Sequence, residues 1–226
     1  PAPPVYLLDK EDGSNAFAAG YAPEDAVIGV TRGAVHGLTR DQLQGVVAHE
    51  FSHILSGDMR INLRLVAVLH GILLLGLTGA AVMRGMYYSG ATYRSRSSRD
   101  NGGGAMLAIF AIAAALAAIG YIGTFFGNLI KSAVSRQREF LADASAVQFT
   151  RNPDGIGGAL KVLGGASRKG RLRSPNAPEA SHMFFGDALT RAMGGAMSTH
   201  PPLGKRIRRI EPGWDGKFLA PREAPA

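Results

Sequence analysis

Two long stretches without a charged side chain limit what this chain can fold into more than any other feature. The first lies between Arg64 and Arg84 and covers residues 65–83, 19 in a row. As a helix it would span about 28 Å at 1.5 Å per residue, close to the thickness of a bilayer core. The second lies between Asp100 and Lys131, and its apolar body, Ala105–Phe126, is rich in Ala, Leu, Ile and Gly. We read both as membrane helices forming a hairpin. The alternative is a hydrophobic hairpin buried in a partner or an oligomer. His70 sits inside the first run, where a neighbouring carbonyl or water would satisfy it. Residues 84–104 hold Tyr87, Tyr88, Tyr93, Arg94, Arg96 and Arg99 among Ser and Gly, the pattern of a flexible loop with interfacial aromatics.

A hairpin returns the chain to the side of the membrane it left, so the segments flanking it can meet. The segment before it contains His49-Glu50-Phe51-Ser52-His53. On a helix, positions i and i+4 share a face, so two imidazoles at this spacing can reach one metal ion. Glu50 follows the first of them, where its carboxylate can take a proton from water activated by that metal. The helix is signalled independently. Thr39-Arg40-Asp41-Gln42 is a capping box, apolar residues from Leu43 to Leu55 recur at helical spacing, and Gly57 is a stop. The chain has no cysteine, so a metal here must be bound by His, Asp or Glu.

The segment after the hairpin supplies a third ligand. Helical pattern continues through Arg138-Glu139-Phe140-Leu141-Ala142-Asp143, placing Glu139 and Asp143 on one face. Glu139 is the candidate third ligand. Asp143 can accept the ring N–H of a metal-bound histidine, and we assign it to His49.

Ahead of the motif, Val5–Leu8, Asn15–Ala19 and Ala26–Thr31 read as a small sheet of about three strands, and Arg32–Leu38 as a short helix with His36 at its surface or in packing. Beyond the third ligand, helices are expected over Gly155–Gly164, Ser181–Met193 and Arg206–Ile210, with a basic loop at Ser167–Glu179, a mobile stretch at Gly194–Ser198 and a structural role for His182. The expected fold is α+β and mainly helical: a zincin-like catalytic domain with a small edge sheet, the motif helix and an inserted transmembrane hairpin. Its parts are 1–64 (sheet and motif helix), 65–130 (hairpin), 131–212 (third-ligand helix and C-terminal helices) and 213–226 (a disordered tail).

These blocks together resemble the HtpX-type membrane zinc endopeptidases, gluzincins related to the CAAX prenyl-protein endopeptidases. The resemblance runs through Asn15-Ala16-Phe17, Ala48–His53, the two apolar segments, Arg138–Asp143, and Thr199-His200-Pro201-Pro202-Leu203 with Arg206-Ile207, covering most of residues 1–212. It implies one Zn2+ per chain, peptide or protein substrates drawn from misfolded or surplus membrane proteins, and residence in a bacterial inner membrane with the site on the cytoplasmic side. Charge alone does not decide that orientation: five basic residues flank the catalytic side against four on the connector. The resemblance further implies His200 as the electrophile for the developing oxyanion, Arg206 as the residue that holds it or the Glu50 carboxylate, and Asn15, Ala16 and Phe17 as an edge strand that receives substrate. Two membrane helices usual ahead of the catalytic part are missing, so we read the chain as a piece of a longer protein.

Other classes fit less well. The net charge of +8 and the clusters Arg168–Arg173 and Lys205–Arg209 would suit nucleic acid or anionic lipid. Beside membrane-length segments, lipid is the expected partner, and no nucleic-acid motif is present. A small transporter would need polar faces on the apolar runs. A catalytically inactive, membrane-anchored scaffold of the same fold is the remaining alternative, and an intact Glu50 argues against it.

Overall fold

The computed structural model describes residues 2–93, 102–165 and 199–222. Arg94, Arg96 and Arg99, the loop at 167–179, the helix at 181–193 with His182, and the stretch 194–198 lie outside the described residues. The chain divides into two compact units, 1–62 with 132–226, and 63–131.

The first unit begins with three strands, β1 (Val5–Leu8), β2 (Ala16–Ala19) and β3 (Val27–Thr31), in spatial order β1-β3-β2. β1 runs parallel to β3 and β2 antiparallel, with Phe17 opposite Gly29 and Ala18 opposite Ile28. β2 is therefore an edge strand. Alternation sends Ala16 and Ala18 into the core, beside Ile28 and Val30. Asn15 is buried at the start of β2: its N–H donates to Thr31 Oγ1 at 2.8 Å and its own Oδ1 accepts from the Ala16 N–H at 2.9 Å.

Helix α1 (Arg32–Gly37) follows directly, capped by the Thr31 hydroxyl. α2 (Arg40–Leu55) starts with the expected capping box: Gln42 N–H donates to Thr39 Oγ1 at 3.3 Å, and Thr39 N–H to Gln42 Oε1 at 2.9 Å. It ends where Gly57 adopts a left-handed φ of +65°, which an L side chain resists. α5 (Pro153–Gly165) lies along α2 at backbone contact, because Gly45 has no side chain: a Cβ there would sit 2.4 Å from the Ile156 nitrogen. α6 (Leu203–Ile210) buries Arg206 and Ile207 against this body.

The tail departs from expectation. Disorder was expected from residue 213 because the segment is rich in Gly, Pro and charge. The structure instead docks 213–222 through Trp214, which is buried, donates its indole N–H to the Lys217 carbonyl at 2.9 Å and stacks edge-on against Phe218. The backbone follows, with Leu219 N–H bonded to Lys161 O and Arg222 N–H to Gly37 O. One aromatic anchor outweighs the composition around it.

α3 (Asp58–Tyr93) and α4 (Gly102–Thr150) carry the two apolar runs. Both are long and apolar enough to cross a membrane, and only 11% and 17% of their apolar windows are buried, where a soluble core helix would be mostly buried. Leu74, Leu75, Ile112, Ile119 and Phe126 are all exposed. Within the second unit the helices run antiparallel at close range, Gly76 against Gly120, Gly123 against Ile72 and Gly127 against Leu69. Small residues at such a seam let backbones approach, as membrane helix pairs require. His70 Nδ1 pairs with the Val66 carbonyl at 2.9 Å, as a satisfied polar residue should. Residues 84–93, expected in the connecting loop, belong to α3, which continues to Tyr93. No proline intervenes, and Gly85 and Gly90 each cost a helix only about 1 kcal/mol.

Candidate metal centre

All the sequence-predicted polar site residues from α2, α4 and α6 meet in the first unit. His49 and His53 project from one face of α2, one turn apart. Their Nε2 atoms lie 3.1 Å from each other. Glu139, from α4, brings Oε2 to 3.7 Å from His49 Nε2 and Oε1 to 3.7 Å from His53 Nε2. The three ligand atoms lie within 4.8 Å of one another, and this is the metal-competent group found among the described residues.

The opposite ring nitrogens fix the tautomers. His49 Nδ1 is 3.0 Å from Asp143 Oδ1, and His53 Nδ1 is 2.7 Å from Asp58 Oδ2. A carboxylate accepts only from a protonated nitrogen, so in a neutral imidazole, the form that binds a metal, Nδ1 carries the hydrogen and Nε2 keeps a lone pair. Two lone pairs facing each other at 3.1 Å, with a carboxylate on the same side, repel unless a cation lies among them. Tetrahedral zinc with bonds of 2.0–2.1 Å wants donors separated by about 3.3 Å. Two imidazoles and one carboxylate at these distances fit zinc.

Charge around the group is balanced by Arg206. This side chain is 0% exposed, with Nε 2.8 Å from Asp143 Oδ2, Nη2 2.6 Å from Asp143 Oδ1 and Nη1 2.9 Å from Glu139 Oε2. Sequence reasoning gave Arg206 the task of holding His200 or Glu50; its guanidinium clamps Glu139, the candidate third ligand, and the carboxylate behind His49, and the Glu50 charge also acts on it. Burial alone would lower the Arg206 pKa, and Asp143 and Glu139 reverse that and raise it. Burial alone would raise Glu139, which lies past the uncharged part of α4; Arg206 and His200 outweigh it and hold the carboxyl well below its usual range. Asp143 is lowered in the same way, by Arg206 first and His49 next against the effect of burial. His200 Nδ1 stands 3.1 Å from Glu139 Oε1.

Glu50 is buried on the same helix, between the histidines in sequence. Its pKa is raised, mainly by burial; the two histidines oppose the shift and Glu139 adds to it. The backbone of Ala18 on β2 also opposes the shift, as the smallest of these influences. In the antiparallel ladder Thr31 N–H bonds to Asn15 O, so by alternation the Ala16 and Ala18 backbone groups point off the free edge. The edge strand thus borders the buried acid. Of its three predicted substrate residues, Ala16 is buried and Asn15 is committed to holding the start of β2, while the Phe17 ring packs over Gly29.

Sequence reasoning missed Asp58. It follows Gly57, outside the motif helix, where no i, i+4 pattern points to it. Its oxygens face His53 and Arg138.

The whole of this geometry lies in the stretch that comparisons with known proteins cover. The family model described as Peptidase family M48 matches residues 1–212. The chain is 36% identical over 212 residues to a protein called Protease HtpX homolog from Streptococcus uberis, covering 93% of this chain and 67% of that one. It is 38% identical over 212 residues to the protein of that name from Syntrophobacter fumaroxidans, covering 93% and 70%. No solved structure matches. A family match over nearly the whole length, with relatives at this identity, establishes that the chain belongs to peptidase family M48.

Proposed function

We propose that this chain is a membrane-anchored, zinc-dependent endopeptidase, with His49, His53 and Glu139 holding one zinc ion and Glu50 acting as general base. The observation that carries the reading is the convergence of the two Nε2 lone pairs and the Glu139 carboxylate, with a buried acid beside them. When bound there, zinc would polarise a peptide carbonyl and bring the pKa of water towards neutrality.

The chain's own residues do the rest. Glu50 takes the proton from the attacking water and passes it to the leaving amine. Its raised pKa suits both halves of that task, since a group that accepts and then donates works best near the ambient pH. His200 is the side chain that donates to the carbonyl oxygen as negative charge builds. Asp143 holds His49 in the right tautomer, and Arg206 positions Asp143 and Glu139 together. An extended substrate lies along β2, over Asn15, Ala16 and Phe17, and pairs through backbone groups, so selectivity for sequence is broad. Substrates are misfolded or surplus membrane proteins, the setting is quality control in a bacterial inner membrane, and the site faces the cytoplasm.

The test is zinc content and casein cleavage by the purified chain in detergent. About one zinc per chain is expected, with cleavage lost to a chelator and restored by zinc. Cleavage unaffected by chelation, or a chain that takes up no zinc, would defeat the reading.

A further inference from the structure

The two histidines of the candidate centre are backed in parallel ways. Behind His49 stands Asp143, gripped by Arg206. Behind His53 stands Asp58, with Oδ2 2.7 Å from His53 Nδ1 and Oδ1 against Arg138 Nη1. Asp58 uses one oxygen for each partner. Its side chain is 14% exposed and that of Arg138 26%, so both charges are largely out of water.

This contact depends on a turn. If α2 simply continued, residue i+5 would point about 140° around the axis from His53. The left-handed backbone of Gly57 breaks the helix and brings Asp58, the first residue of α3, back to the imidazole. Arg138 comes from α4, one position before the third ligand. The ion pair therefore joins the start of α3 to α4 at the level of Glu139.

We propose that Asp58 is a positioning residue that fixes the tautomer and ring orientation of His53, and that Arg138 acts through Asp58 by holding its carboxylate. The inference rests on the zinc-site reading of His53. The plainer role for an acid in the first turn of α3 is to complement the helix N-terminus. That role would affect stability and leave metal affinity alone.

The experiment measures zinc dissociation constants by chelator competition, and melting temperatures of the metal-free forms, on the full chain in detergent. Asp58→Ala should weaken zinc binding about 10- to 100-fold, the usual effect of losing a carboxylate behind a ligand histidine. Asp58→Asn keeps the size and an acceptor oxygen but loses the charge, so it should weaken binding less; it supplies the answer if the alanine form does not fold. Arg138→Gln should weaken binding in the parent and add nothing in the Asp58→Ala background, because it acts through that carboxylate. A zinc dissociation constant for both Asp58 variants within twofold of the parent overturns the proposal, whatever their melting temperatures. Additive effects of Arg138→Gln and Asp58→Ala overturn the part given to Arg138. His53→Ala separates the failures. If the parent binds zinc, His53→Ala loses it and Asp58→Ala matches the parent, this inference alone falls. If the parent binds no zinc, or His53→Ala binds it equally well, the zinc-site reading falls and takes this inference with it.

Discussion

Arg206 grips Asp143 with two nitrogens, at 2.8 and 2.6 Å, in a place with no access to water. The pair lies immediately behind His49 and shares the guanidinium with Glu139. Breaking a buried pair by removing one partner strands the other charge and costs about 3–5 kcal/mol. Arg206→Ala should therefore lower the unfolding free energy of the metal-free chain by about that amount, measured by denaturant titration. Arg206→Lys should recover only part of it, because an ammonium lacks the planar fork that bonds two carboxylates at once.

The same cluster sets an acid limit. Asp143 and Glu139 are held below their usual pKa values in the folded chain. A carboxylate whose folded pKa is depressed adds stability above its unfolded pKa and loses it as pH falls through the folded value. The metal-free protein should thus lose stability as pH drops below about 4, where free carboxylates begin to protonate. In Arg206→Ala, burial is no longer offset by the guanidinium, both carboxyls lose much of their depression, and the acid loss should shrink with it. Denaturation midpoints across pH 3 to 7 check both the sign and the reduction.

Much of this site is legible in the sequence because its signals are local. The capping box at Thr39, the spacing of His49 and His53, and the i, i+4 relation of Glu139 and Asp143 all survive in the structure as backbone and side-chain geometry. Asp58 was not legible, because its approach to His53 depends on one left-handed residue, Gly57, and not on helical periodicity. Arg206 was picked out, but its hold on Asp143 and Glu139 was not. Two hydrogen bonds to Asp143 and an ion pair with Glu139 are settled by the packing of α6 against α4, which no short-range pattern encodes. Trp214 shows the converse, a single large side chain in a polar tail that packs beside Gly204 and Arg208 of α6.

His200 faces Glu139 at 3.1 Å and is given the task of donating to the oxyanion. Replacing one such donor typically costs about 100- to 1,000-fold in kcat. His200→Ala should show that loss in peptide cleavage with zinc content unchanged. A turnover number equal to the parent's would remove His200 from the mechanism.

Gly45 lets α2 and α5 touch backbone to backbone one turn before His49. Gly45→Ala would place a methyl 2.4 Å from the Ile156 nitrogen. The helices must part, at a cost of about 1–3 kcal/mol, against the small gain in helix propensity that alanine brings elsewhere. Chemical denaturation should register the loss, and zinc affinity should fall with it as α2 shifts.

The measurement closest to the central claim compares the parent chain with Glu50→Gln, for zinc content and casein cleavage on the same samples. Glutamine preserves shape but cannot accept the proton. The account predicts about one zinc per chain in both proteins, with cleavage by Glu50→Gln reduced at least about 100-fold, the lower end of what a general base contributes. Cleavage by zinc-loaded Glu50→Gln at a rate close to the parent's would contradict it.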